Sequence, residues 1–219
     1  MTGLTENTKK NIEQISCLPC LKGYTLIGGT ALSVQIGKRL SEDLDFCKWT
    51  INPKSDKPVV DWFGIENELR TIGNIEKKDI LGFEHVNFIV NGVKISFFAK
   101  QYNLSPIKRP ISFINNIIVA DIKSIGAMKL EVCLRRSEFR DYYDIYSILK
   151  VAISLKELVL NAVIYSNQSL KSRDILYMLS NGSRFVPDQQ FELLQPFYNV
   201  TALDIENFIK EKIIEEYPK

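Results

Sequence analysis

Asp43 and Asp45 are separated by a single residue in the alternating stretch Asp43-Leu44-Asp45-Phe46. Alternation is the strand period, and residues two apart in a strand point to the same face. The two carboxylates are therefore expected side by side, with Leu44 and Phe46 turned to the core. Like charges in that arrangement repel, so a fold gains no stability from placing them there. A divalent cation relieves the repulsion, and magnesium favours one or two carboxylates completed by phosphate oxygens and water. About fifteen residues upstream, the β-prone run Tyr24-Thr25-Leu26-Ile27 stops at Gly28-Gly29. Thr30 to Ile36 then reads as a short helix ended by Gly37. Glycines let the backbone approach a ligand, and a helix N-terminus offers unpaired N–H groups to phosphate oxygens. Taken alone, the Gly-Gly reads as a tight turn and the acids as a solvated edge strand; together they point to a metal and phosphate site.

The elements that must hold these residues follow from the hydrophobic pattern. Residues Asn7 to Leu21 carry apolar positions at Ile12, Ile15, Leu18 and Leu21, which predicts an opening helix. The Pro, Asn, Asp, Ser and Lys of Asn52 to Lys57 predict a loop. A helix is expected over Val59 to Ile72, with Val60, Phe63, Leu69 and Ile72 inward. Strands are expected over Glu84 to Val90 and Val93 to Phe98, joined at Asn91-Gly92, a strong hairpin signal. Leu104 to Asn115 holds two prolines and reads as a connector. From Asp121, a credible N-cap, the pattern is helical: Ile122 to Leu134, Phe139 to Leu149, Ile153 to Ile164, Leu170 to Leu179 and Leu203 to Ile214. The expected architecture is α+β. An α/β domain over 1–118, a small mixed sheet with flanking helices, precedes a C-terminal helical bundle over 119–219 that completes the cleft.

Composition sets the outer limits. The chain has 219 residues, enough for a core that needs no disulfide or structural metal. A net charge of +2 argues against gripping nucleic acid by bulk charge. Cys17 and Cys20 form a C-x-x-C, but Cys47, Cys133 and the only histidine, His85, supply no second close pair for zinc. Reduced thiols are expected. The polar opening Met1 to Gln14 has no signal-peptide core, and no apolar run approaches the ~18 residues of a membrane span. A soluble, cytoplasmic protein is expected.

Leu26-Ile27-Gly28-Gly29-Thr30-Ala31-Leu32, followed by Arg39-Leu40-Ser41-Glu42-Asp43-Leu44-Asp45-Phe46, resembles the signature of the AbiEii-type nucleotidyltransferase toxins. These belong to type IV toxin–antitoxin and abortive-infection systems, within the polymerase-beta-like nucleotidyltransferase superfamily. The resemblance continues through Asp121-Ile122, Lys129-Leu130, Arg136 and Arg140-Asp141-Tyr142-Tyr143-Asp144-Ile145-Tyr146, so it spans roughly Leu26 to Leu149. It implies a magnesium-dependent transfer of a nucleotide from a nucleoside triphosphate to an acceptor, an RNA such as tRNA, with a cognate antitoxin as partner. It further implies that Asp43 and Asp45 hold Mg2+, with Lys129 and Asp141 as further catalytic residues. Gly28, Gly29, Thr30, Arg39, Ser41, Lys129, Arg136 and Asp144 would bind the nucleotide. From spacing alone, Lys129 and Arg136 share a helical face, whereas Arg140 and Asp144 also suit an ordinary i,i+4 surface pair.

The sequence departs from the superfamily at one telling place. Many of its enzymes carry a third carboxylate on a neighbouring strand, and here Ser96 falls where that acid is expected. Serine cannot serve as an anionic base, so either Asp121 or Glu84 supplies the charge or acceptor activation is lost. The second alternative describes a catalytically silent nucleotide-binding module that works through a protein partner. Lys38 stands where many relatives carry a histidine. His85 reads as structural, because no nucleophile and orienting acid group with it. Trp49, Trp62, Phe63 and the Tyr142, Tyr143, Tyr146 group read as packing residues. Lys100, Lys108 and Arg109 read as a solvated loop more readily than as an RNA patch.

Overall fold

The computed structural model describes residues 2–50, 58–101, 109–186 and 188–218. The loop expected over 52–57 and Lys108 lie outside them. The chain divides into two compact units, Met1–Asp121 and Ile122–Lys219. Among the described residues, no helix is long and apolar enough to cross a membrane.

The first unit is built on a mixed sheet. Helix α1 (Glu6–Ser16) ends before a short 3-10 turn at Pro19–Leu21, where the proline cannot continue the helix. Strand β1 (Thr25–Ile27) runs into α2 (Gly28–Ile36), and Gly37 closes α2 with φ 60°, its N–H donating to the Ser33 carbonyl. Strand β2 (Leu44–Thr50), helix α3 (Trp62–Leu69), and strands β3 (Ile75–Gly82), β4 (His85–Val90), β5 (Val93–Gln101), β6 (Ile111–Ile114) and β7 (Ile117–Val119) complete the unit. The sheet order is β3-β4-β5-β2-β1-β7-β6. β2 pairs antiparallel with β1 and parallel with β5, and β7 pairs parallel with β1.

One face of this sheet is the core. Val86, Phe88, Val90, Ile95, Phe97, Leu44, Phe46 and Leu26 are all buried, as alternate positions of successive strands must be when one face is covered. The Asn91-Gly92 hairpin forms as the sequence predicts, with φ 51° and 72° at its two corner residues.

Several expectations are corrected. α3 begins only after Asp61, whose carboxylate caps it by accepting from the Gly64 N–H. Its inward residues are Ile65 and Leu69, whereas Phe63 is 64% exposed. β3 was not anticipated: its Glu76-Lys77-Lys78-Asp79 centre shows no apolar alternation because β3 is an edge strand. The described part of the expected connector also contains β6, paired with β7.

The second unit is helical: α4 (Ile122–Arg135), α5 (Phe139–Val151), α6 (Leu155–Tyr165), α7 (Ser172–Leu179) and α8 (Ala202–Glu216). Ser154 and Thr201 cap α6 and α8, the latter in a capping box with Asp204. Tyr142 and Tyr143 are fully buried, and Tyr142 stacks on Phe185 at 3.9 Å. Packing is what these tyrosines do, as their place in the helical pattern suggests.

Candidate functional site

The glycine turn is shaped by what lies against it. β1 delivers the chain to Gly28 in extended conformation, and Gly28 turns it into α2 with φ 74°. A side chain there would be strained by that angle, and its Cβ would stand 3.0 Å from Asp45 Oδ2. A Cβ on Gly29 would collide with the Arg39 guanidinium and lie 3.4 Å from Ser41 Oγ. The N-cap residue of α2, Ile27, makes no side-chain cap, and a helix N-terminus carries N–H groups with the capacity for an anion. The Thr30 hydroxyl donates to the Asp43 carbonyl and lies 2.8 Å from Ser41 Oγ, pinning the start of α2 to the approach of β2. Arg39 is buried, with one guanidinium nitrogen donating to the Leu40 carbonyl at 2.8 Å. The structure thus gathers Gly28, Gly29, Thr30, Arg39, Ser41, Asp43 and Asp45 around one turn.

The two acids share a face. Asp45 lies in β2 beside Ile27 of β1 and Ser96 of β5. Asp43 precedes β2 by one residue, and Lys94, two residues before Ser96 and so on its face, brings Nζ to 3.8 Å from Asp43 Oδ2. Among the described residues, no three of His, Cys, Asp and Glu gather into a metal site of their own. The donor set fits magnesium nonetheless, since that ion takes one or two carboxylates and fills its shell with phosphate oxygens and water. The glycine cradle against Asp45 leaves room for such oxygens.

Ser96 is buried and stands directly across from Asp45. Of the two acids weighed as replacements, Glu84 is exposed and level with Ala99, three residues along β5 from Ser96. Asp121 follows β7 just past Ala120, whose N–H donates to the Leu26 carbonyl, and so lies on the Gly28 end of β1. Lys38 is half-buried between Gly37 and Arg39.

Lys129, Arg136, Asp141 and Asp144 form a second group, within the helical unit. Lys129 Nζ on α4 lies 2.6 Å from Asp141 Oδ1 and 2.7 Å from Asp144 Oδ2 on α5. Arg136 Nε donates to Asp141 Oδ2 at 2.8 Å, and its guanidinium also reaches Glu138 at 3.3 Å. Burial drives the Asp141 pKa up, but the Lys129 ammonium and the Arg136 guanidinium more than reverse this and hold it below the ordinary carboxylate range. The Lys129 side chain is only 8% exposed, whereas Arg136 is 51% exposed. Arg140 does not pair with Asp144; it binds Asp188 through Nε at 3.0 Å and its terminal nitrogen at 2.6 Å.

Three partnerships of the site face escaped the reading of the sequence: Lys94 with Asp43, Asn87 across from Ser96, and His85 with Asn87. The alternation of β4 and β5 was the signal that could have found them.

Comparison with known proteins bears on the fold and the family. A crystal structure of a candidate nucleotidyltransferase from H. pylori matches with a TM-score of 0.56 over 97% of each chain at 17% identity, which makes the shared architecture a nucleotidyltransferase fold. An uncharacterised protein of Aquifex aeolicus (strain VF5) is 28% identical over 226 residues, 98% of either chain. The model of the family described as nucleotidyl transferase AbiEii toxin, Type IV TA system, matches residues 13–210, and the chain belongs to that family.

Proposed function

We propose that this chain is a magnesium-dependent nucleotidyltransferase acting in the cytoplasm as the toxin of a toxin–antitoxin pair. It transfers a nucleotide from a nucleoside triphosphate to an RNA acceptor such as tRNA, and a cognate antitoxin opposes it. The observation that carries this reading is the Asp45 carboxylate 3.0 Å from where a Gly28 Cβ would stand, at the N-terminus of α2. That juxtaposition offers an anion and a cation adjoining places.

Magnesium bound there would neutralise charge on the phosphates. The chain's own groups do the rest. The α2 N–H groups and Arg39 favour the triphosphate, and Asp43 and Asp45 fix its register. An acceptor hydroxyl oxygen then bonds to the α-phosphorus, the bond from that phosphorus to the α,β-bridging oxygen breaks, and pyrophosphate leaves; the hydroxyl proton passes to solvent or a nearby carboxylate. Of the charges in the helical unit, Arg136 is the exposed cation, and we assign it the contact with an anion. Lys129, held by two aspartates, keeps Asp141 and hence Arg136 in place. Incubation with labelled triphosphates and total tRNA tests the reading: wild type transfers label and the Asp43→Ala/Asp45→Ala protein does not. Equal transfer by both proteins contradicts it.

One observation favours a second reading. Ser96, uncharged, occupies the position across from Asp45, which suits a module that binds the triphosphate without transferring it and signals through a protein partner. Magnesium-dependent triphosphate binding with no transfer to any RNA would select it.

A further inference from the structure

The two acids of the candidate site are held by unlike means. Asp45 lies inside β2, in register with Ile27 of β1 and Ser96 of β5. Asp43 lies outside it, since the pairing with β5 starts at Leu44 and the pairing with β1 at Asp45. Two carboxylates are ready to share one cation only when both are fixed to within about 0.5 Å before it arrives. Something other than the sheet must therefore fix the backbone that carries Asp43.

The residues before α1 and its first turn do so. Leu4, fully buried, forms a parallel bridge with Ser41. The Ser41 N–H donates to the Gly3 carbonyl at 2.9 Å, and the Thr5 N–H donates to the Ser41 carbonyl at 3.1 Å. Thr8 Oγ1 donates to the Glu42 carbonyl at 2.8 Å. With Thr30 on the Asp43 carbonyl, each carbonyl of residues 41–43 is engaged. Gly3 also lies against α2, where a Cβ would collide with the Ser33 carbonyl. The same stretch reaches the hairpin that leads to Lys94, through Asn7 Nδ2 donating to the Asn91 carbonyl at 3.1 Å.

Helix α1 does not need the Thr8 bond for itself. Thr5 is its N-cap residue, where a threonine hydroxyl ordinarily accepts from the helix's own N–H groups, yet it makes no such bond. Its hydroxyl lies 3.0 Å from Thr8 Oγ1 instead. A hydroxyl has one proton; that of Thr8 goes to Glu42, so Thr5 is the donor to Thr8. Thr8 is 1% exposed, on the inward face with Ile12 and Ile15, where an apolar residue would pack as well. A buried hydroxyl is costly unless bonded, and this one is bonded to the approach of Asp43. The relay from Thr5 through Thr8 thus gives up a helix cap and an apolar core position for one backbone carbonyl beside Asp43.

We infer that Thr8 is a positioning residue of the metal–triphosphate site. With Gly3, Leu4 and Thr5 it sets the 41–43 backbone so that the Asp43 carboxylate stands ready beside that of Asp45. The inference rests on the nucleotidyltransferase reading and adds to it a side chain 34 residues from its partner in sequence.

Thr8→Val removes the hydroxyl at nearly unchanged volume, and Thr8→Ser restores it. Calorimetric titration of each full-length protein with ATP, GTP, CTP and UTP over a range of magnesium concentrations reads the effect. Thr8→Val is expected to need about tenfold more magnesium for half-maximal triphosphate binding, the loss that follows when a group orienting a metal ligand is removed. Excess magnesium should return its triphosphate affinity to the wild-type value, and Thr8→Ser should stay within about twofold of wild type throughout. A loss that excess magnesium does not repair is ordinary destabilisation and overturns the inference. A magnesium requirement unchanged in Thr8→Val, or raised as much in Thr8→Ser, overturns it too. Thr5→Ala leaves Thr8 bonded to Glu42 and removes no cap; it is expected to raise the requirement about threefold. Should Thr8→Val not fold, no change in Thr5→Ala overturns the inference. The two readings fail separately: wild-type protein that binds no triphosphate overturns the proposed function, whereas magnesium-dependent binding indifferent to Thr8 removes the positioning role alone.

Discussion

Asp43 and Asp45 stand in the first unit, Asp141 and Asp144 in the second, and the two pairs are treated in opposite ways. Asp141 and Asp144 are buried and meet Lys129 at 2.6 and 2.7 Å, with Arg136 completing Asp141 at 2.8 Å. Asp43 is 36% exposed and its lysine stands 3.8 Å away, while Asp45 Oδ2 lies 3.0 Å from where a Gly28 Cβ would stand. A buried carboxylate survives only when its cation is built in, since desolvation is otherwise too costly. The half-buried Asp43/Asp45 pair lies instead beside the Gly28 turn, with a single lysine at the outer limit of an ion pair to Asp43. The difference teaches that similar spacing of acids carries two meanings, decided by how deeply the fold buries them and how tightly it holds their cations.

That contrast is broken most severely by isosteric removal of charge. Asp45→Asn is expected to lower label transfer by on the order of a thousandfold, the several kcal/mol attributed to metal-held charge in a transition state. Its melting temperature should stay level or rise, because a like-charge repulsion is relieved. Asp141→Ala should do the reverse, costing about 3–5 kcal/mol of stability in denaturant melts by leaving Lys129 and Arg136 short of a partner. A melt unchanged by Asp141→Ala would show that this cluster is not structural.

The pH dependence sharpens the same distinction. The folded pKa of Asp141 is depressed, so its contribution to stability is full above the unfolded carboxylate pKa of ~3.9 and is lost as pH falls through the lower folded value. Acid titration of the wild type should therefore show a loss of stability below about pH 4 that is flattened in Asp141→Asn. The smallest effect belongs to Gly28→Ala. Its positive φ costs about 1–2 kcal/mol in an alanine, and the added methyl at 3.0 Å from Asp45 Oδ2 should reduce triphosphate affinity measured by calorimetry.

Much of the first site was legible because its determinants are local. The strand into Gly28-Gly29, the Gly37 stop and the Asn91-Gly92 corner are short-range signals, and the hairpin parity alone places Ser96 on the face of Lys94. What sequence could not supply is long-range partnership. Arg140 and Asp144 are spaced as a helical surface pair, yet Arg140 finds Asp188 far along the chain and Asp144 finds Lys129 on another helix. β3 was hidden because an edge strand carries charge where a core strand carries apolar residues. Phe63 was read inward from helical spacing but is exposed, whereas Leu69 is inward as expected, together with Ile65.

The central claim is that the Gly28 turn and the Asp43/Asp45 pair together bind a metal–triphosphate complex. Calorimetric titration of the full-length chain with each nucleoside triphosphate, with and without magnesium, tests it most directly. The account predicts saturable binding that requires magnesium and disappears in Asp43→Ala/Asp45→Ala while the melting temperature holds. Binding of equal strength without magnesium, or retained in the double variant, would contradict it.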